Sequence, residues 1–228
     1  MFHFRDFILF LKNPSFGKQF DIKSISSFLK LIWISFLIIL LIDIITGILI
    51  TTPLRYFNLF PSFKELKFTP LNILKITLVL PIIEELIFRL PLRISKANFI
   101  TSFSIIIFMF LYKLCLSKVY LAISLSLILF LLLYLNIKKE SNFLNKLSIF
   151  FTKYFRVVFL LQALIFGFLH LINFKLDFKY FYLFPLFAIS YISSGYFWGY
   201  IRVRYTSGIY VCIASHIVVN SIYCLILS

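Results

Sequence analysis

The sequence predicts an all-α fold, a polytopic transmembrane helix bundle of about seven to eight membrane helices, and three observations carry that expectation. Hydrophobic residues make up 62% of the chain and aromatic residues 20%, with a mean hydropathy of +1.03, well beyond the apolar content of about 45–50% in soluble domains. Charged residues are only 14% and gather between long apolar runs, as they do in helices that cross a bilayer. The runs are continuous, where membrane strands would alternate.

Seven stretches reach or approach the roughly 20 helical residues that cross a hydrocarbon core of about 30 Å. Ahead of them, residues 1–27 are Lys-rich and not apolar enough for a cleavable signal peptide. They read as a basic cytoplasmic tail, in which Phe2, Phe4, Phe7, Ile8 and Leu11 suit a short interfacial helix. The first span, 28–50, holds Asp43 between Ile42 and Ile44. An acid at that depth is expensive, so a helix-pairing role with a hydrogen-bond partner is favoured over one in substrate passage.

The second span, 71–92, carries Glu84, Glu85 and Arg89. Ionisable groups at membrane depth cost roughly 2.5–3.5 kcal/mol each on insertion scales and are rarely kept without a use. Glu85 and Arg89 are four apart and pair on one helix face, which leaves Glu84 without a partner on its own segment. Pro81, one turn before the acids, frees a carbonyl and bends the helix, opening room for a polar cavity; Pro91 marks the helix end. The third and fourth spans, 99–116 and 119–137, meet at Ser117 and Lys118, where Lys113 and Lys118 suggest a tight hairpin. Lys138, Lys139 and Glu140, with the basic stretch from Lys146 to Arg156, read as a cytoplasmic loop lying on anionic headgroups. The fifth span, 155–173, contains Phe166 and His170; the sixth is 180–200; the seventh, 207–227, contains His216 and Asn220.

No Pro/Gly/Ser linker, low-complexity tract or internal repeat divides residues 28–228, which read as one membrane domain. Lys and Arg favour one set of alternate loops by about two to one, which places the N-terminus in the cytoplasm and, with an odd number of spans, the C-terminus outside. The net charge of +15 is dispersed over several short loops. With no basic helix or aromatic-basic platform, the partner is anionic lipid and not nucleic acid. Cys115, Cys212 and Cys224 match no zinc or redox spacing and read as small core residues.

Two of the three histidines, His170 and His216, fall inside predicted spans, while His3 is in the tail. A lone histidine on an apolar face is more often a hydrogen-bonded core residue. Two of them beside a surplus acid shift that balance. Asn220 shares a helical face with His216, and Phe166 shares one with His170, where it either shields a site from water or is ordinary core. Glu84, His170, His216 and Asn220 together are the groups needed to activate a water and to stabilise a tetrahedral oxyanion.

The segments Glu84-Glu85-Leu86-Ile87-Phe88-Arg89, Phe166-Gly167-Phe168-Leu169-His170 and His216-Ile217-Val218-Val219-Asn220 resemble the EExxxR, FxxxH and HxxxN motifs of the CPBP family, the CAAX proteases and bacteriocin-processing intramembrane proteases. The stretch from Ser194 to Tyr200 and the turn at Ser207-Gly208 resemble the family's segment ahead of the last motif, and the whole likeness covers about 71–227. Each motif alone is weak; three in order, each inside an apolar span, are a strong signal. One departure is Leu90, where the family commonly has Gly.

The resemblance implies an intramembrane endopeptidase acting on a membrane-associated or lipidated peptide. It implies Glu84 as general base, Glu85 and Arg89 as a supporting pair, His170 as orienter of the water or as a group acting with Glu84, and His216 and Asn220 as holders of the oxyanion. The family is often called a metalloprotease, and Glu84, His170 and His216 are a ligand set able to hold Zn²⁺; no HExxH is present, and the same residues suit a metal-free glutamate-type site. The Phe-, Ile- and Lys-rich chain suits a bacterial inner membrane. Two other classes remain as readings. One is a non-proteolytic scaffold or bacteriocin self-immunity protein, against which the intact catalytic set argues. The other is a proton-coupled transporter, which would show related halves with broken helices.

Overall fold

The computed structural model describes residues 2–64, 68–114, 123–130 and 141–227. Among them there is no strand, only two isolated β-bridges, and the expected all-helical class holds. In chain order the helices are α1 (Phe4–Lys12), α2 (Ile25–Thr46), α3 (Thr52–Tyr56), α4 (Pro70–Leu74), α5 (Leu80–Phe88), α6 (Lys96–Leu114), α7 (123–130), α8 (Ser141–Lys153), α9 (Phe155–His170), α10 (Phe184–Arg204) and α11 (Gly208–Leu227). The hairpin expected at Ser117 and Lys118, Cys115, and the charges Lys138, Lys139 and Glu140 lie outside the described residues.

Two breaks in the α-ladder have one cause. A π-turn at Gly47–Thr51 joins α2 to α3, and another at Lys75–Val79 joins α4 to α5. Each stands just ahead of a proline, Pro53 or Pro81, at the start of the next helix. Proline offers no N–H to the ladder and its ring presses on the preceding turn, so the register slips by one residue there. Pro91 lies in a 3₁₀ turn, Leu90–Leu92, that ends α5, as expected of a proline just beyond a helix.

Ile25–Tyr56, Phe155–Asn173 and Gly208–Ile226 are long and apolar enough to cross a membrane, and Ala97–Lys113 is a shorter apolar helix. The protein is therefore a membrane protein on composition and length. The further spans expected from the sequence do not meet that standard among the described residues. The path from α4 to α5 carries Lys75, Glu84 and Glu85, and α10 is 21 residues long but rich in Ser, Gly, Tyr and Arg.

The bundle is organised around α10, which packs most extensively on α9 and also touches α2 and α11; α11 packs on α2 and α5, and α5 on α6. The close α9–α10 approach comes from small residues facing large ones. A Cβ on Gly195 would stand 2.9 Å from the Phe166 ring, and one on Gly199 would stand 2.7 Å from that of Phe159. In lipid, where apolar burial does not drive helices together, such backbone proximity and dispersion contact hold them.

At one end the chain closes the bundle. Phe10 of α1 is fully buried among Phe159 and Tyr200, with ring centroids at 5.0 and 5.2 Å. Asp6 meets Arg204 at 3.0 Å, and Phe20 forms a parallel bridge with Tyr205 just beyond α10. Two arginines cap each other's helices: Arg202 donates to the Arg89 and Leu90 carbonyls that end α5, and Arg93 donates to the Val203, Tyr205 and Thr206 carbonyls that end α10. Each cation sits at the negative end of a helix dipole and satisfies carbonyls that the ladder leaves open.

Candidate active site

Three helices deliver the polar groups to one place. Glu84 and Glu85 are successive residues of α5, His170 is the last residue of α9, and His216 and Asn220 lie one turn apart on α11. Successive positions on a helix point about 100° apart, and the structure uses that divergence. Glu85 faces the dry interior and is 0% exposed, while Glu84 is 26% exposed.

The interior layer comprises Glu85, Arg89, Phe166 and Trp198. Glu85 Oε2 faces Arg89 Nε at 3.5 Å, so the predicted pair is present. The second carboxylate oxygen, Oε1, accepts a hydrogen bond from His216 Nδ1–H at 2.9 Å. That contact was not foreseen, because a pairing read from one segment cannot see a histidine 131 residues away. The Arg89 guanidinium lies over the Phe166 ring, 3.7 Å from its centroid. Phe166, itself buried, thus serves as a seat for the cation. Gly195 leaves the space, since a Cβ there would stand 3.4 Å from the Arg89 Nη2.

The reactive layer comprises Glu84, His170 and His216. Glu84 Oε2 stands 3.8 Å from His170 Nε2 and 3.7 Å from His216 Nε2. Glu84, the acid without a partner on its own helix, therefore faces both imidazoles of the other two. The tautomers follow from the far side of each ring. His170 Nδ1–H donates to the Phe166 carbonyl at 2.8 Å and His216 Nδ1–H donates to the Glu85 carboxylate, and neither acceptor is able to donate back. In the neutral rings both Nε2 lone pairs are thus turned toward Glu84. At separations above 3.5 Å neither imidazole bonds directly to Glu84.

Asn220 Nδ2 donates to the Ile76 carbonyl at 3.0 Å. In a π-turn that carbonyl looks to the N–H five residues on, which is residue 81, a proline. The freed carbonyl expected from Pro81 is real, and Asn220 answers it. This use takes one of the two amide hydrogens and leaves the other for a ligand.

Sequence reasoning missed the wall behind the histidines. Tyr191, Gly195 and Trp198 follow i, i+4, i+7 spacing on α10. The Tyr191 ring stacks on His170 with centroids 4.5 Å apart and planes 20° apart, and Trp198 stacks on His216 at 4.3 Å and 25°. The indole N–H of Trp198 donates to Ser215 Oγ, which fixes its orientation. Trp198 at least lies in the stretch resembling the family's segment before the last motif; Tyr191 carries no signal in a chain with 13 tyrosines.

The same groups bear on zinc. Two imidazoles with their outer N–H groups donated to a carbonyl and a carboxylate, plus a second carboxylate, suit zinc in kind. Their separations of 3.7 and 3.8 Å exceed the about 3.4 Å between ligands of a tetrahedral ion with bonds near 2.1 Å. Among the described residues no group of three His, Cys, Asp or Glu is gathered for a metal ion.

The model of the type II CAAX prenyl endopeptidase Rce1-like family matches residues 66–222 of the chain, from ahead of Glu84 to beyond Asn220. The chain belongs to this family. No curated protein and no solved structure matches it. The resemblance drawn from the three motifs to the CPBP proteases is thereby established, and membership in an Rce1-like CAAX protease family supports an intramembrane endopeptidase over a scaffold.

Proposed function

We propose that this Rce1-like protein hydrolyses a peptide bond in a membrane-associated, lipidated peptide, with Glu84 as general base and no metal ion. The observation that carries the reading is the convergence of both imidazole Nε2 atoms on the partly exposed Glu84 carboxylate, at 3.7 and 3.8 Å. A water between them donates one hydrogen to Glu84 Oε2 and the other to His170 Nε2, so its lone pair is left free for a carbonyl carbon. Glu84 takes the proton as the C–O bond forms, and the carbonyl π pair moves onto the oxygen. His216, when it carries a proton on Nε2 as well as Nδ1, and the second N–H of Asn220 donate to that oxyanion. The proton on Glu84 then passes to the amide nitrogen as the C–N bond breaks.

Glu85 and Arg89 touch none of the reacting atoms. Their roles are to hold the His216 ring in one orientation through its Nδ1–H and to balance charge in a dry layer. The polar α4–α5 path and α10 complete the crossing of the bilayer in this reading, in a bundle of seven to eight spans. Its place is a bacterial inner membrane with the N-terminus in the cytoplasm.

The test uses purified protein in detergent and a panel of membrane-tethered and prenylated peptides read by mass spectrometry. Wild type is expected to cleave, Glu84→Gln to lose at least about 100-fold in rate, as expected for loss of a general base, and chelator to change nothing. Normal cleavage by folded Glu84→Gln sinks the reading; loss with chelator sinks its metal-free part.

A further inference from the structure

Asp43 lies outside every step above, yet its carboxylate is the hub of a second polar cluster. Ser190 Oγ–H donates to Oδ1 and Tyr223 O–H donates to Oδ2, the latter at 2.6 Å. The donors come from α10 and α11, so one side chain of α2 ties three helices. An acid among apolar helices is costly, and two hydroxyl donors offset much of that cost.

Pairing alone would not dictate where along the bundle this knot is tied. It is tied beside His170. Tyr191, the neighbour of Ser190, lays its ring on the His170 imidazole, and Tyr223 is three residues beyond Asn220 on α11, one step along the same face. Three contacts govern the His170 ring. The hydrogen bond to the Phe166 carbonyl fixes Nδ1, and the Phe166 ring, 4.4 Å away and tilted by 58°, bounds one side. Within the latitude that this hydrogen bond allows, the near-parallel face of Tyr191 limits rocking of the ring about Cβ–Cγ.

We propose that Asp43, through Ser190 and Tyr223, locks α10 so that Tyr191 sets the plane of His170 and aims its Nε2 at the water beside Glu84. The proposal rests on the protease reading given above. Asp43 and Tyr191 are positioning residues, since neither touches the reacting atoms.

The test pairs two readouts on the full-length protein in detergent micelles. One is the ring-current-shifted Hε1 resonance of His170, in protein carrying labelled histidine and assigned with His170→Gln. The other is steady-state cleavage of a fluorescence-quenched farnesylated peptide. Tyr191→Leu and Asp43→Ala are expected to move the His170 resonance toward its unstacked position, while that of His216 stays. Both should lower kcat about tenfold with KM within about twofold, as for a misaimed group, and Tyr191→Phe should restore both readouts. Should Asp43→Ala not fold, Tyr223→Phe removes one of the two donors and is expected to act in the same direction. A His170 resonance unmoved in a folded Asp43 or Tyr223 variant overturns the proposal, and so does Tyr191→Phe behaving like Tyr191→Leu. If wild type cleaves nothing, the protease reading falls, and the resonance still decides whether Asp43 positions His170.

Discussion

Adjacent carboxylates on α5 have been given opposite environments, and this divides the labour between them. Glu85 is sealed against Arg89 and His216, whereas Glu84 keeps a quarter of its surface open. Removing one member of a buried charge set leaves the others uncompensated and typically costs about 3–5 kcal/mol. Glu85→Gln should therefore lower the thermal unfolding midpoint in detergent strongly, and Glu84→Gln should leave it nearly unchanged. Equal destabilisation by the two would mean that the layers are not distinct. At this scale the sequence was most legible. Charges and imidazoles in apolar spans stand out, so Glu84, Glu85, Arg89, His170 and His216 drew notice, Asn220 followed from the face it shares with His216, and their roles came from the resemblance. The stacking of Tyr191 on His170, and the hydrogen bond of Glu85 to His216, join different helices and leave no periodic mark on either. Asp43 illustrates both sides: its need for a partner was plain, but the partners, Ser190 and Tyr223, were not.

Among the elements, the α4–α5 path shows how an irregular helix makes a polar site in a membrane. Reading 71–92 as one continuous span gave the position of the acids but hid the π-turn at Lys75–Val79 and the early end at Phe88. Proline announces that a carbonyl is freed; it does not say which side chain will meet it. Pro81→Ala returns an N–H to this stretch, which competes with Asn220 for the Ile76 carbonyl. The expected result is higher thermal stability together with slower cleavage. A rise in stability with unchanged cleavage would detach the Asn220–Ile76 bond from function. Gly195 makes the corresponding point for α10. Gly195→Ala places a methyl 2.9 Å from Phe166 and 3.4 Å from Arg89, and overpacking of this kind typically costs about 1–3 kcal/mol. Loss of the Arg89–Phe166 stack and of cleavage should follow, measured by unfolding and by peptide turnover.

For the molecule as a whole, the class was clear from composition, because so apolar a chain has no soluble solution. The count of spans was less legible: the sequence reads seven to eight, whereas three helices among the described residues are long and apolar enough to cross, and the α4–α5 path and α10 carry polar residues that lower their hydropathy. Nor could the sequence tell how the first residues lie. Phe10 closes the bundle between Phe159 and Tyr200, and Arg204, Arg202 and Arg93 bind that end together. Phe10→Ala removes a fully buried ring, a change that costs roughly 3 kcal/mol or more in well-packed cores. Lower thermal stability with an unaltered peptide preference is the expected outcome, because the plug lies apart from Glu84.

The most direct measurement of the central claim is cleavage of a prenylated, membrane-tethered peptide by wild type and Glu84→Gln side by side, with folding verified for both. Hydrolysis by wild type alone, persisting in chelator, is what a glutamate-activated water between His170 and His216 predicts. Equal hydrolysis by the two proteins, or by neither, would contradict it.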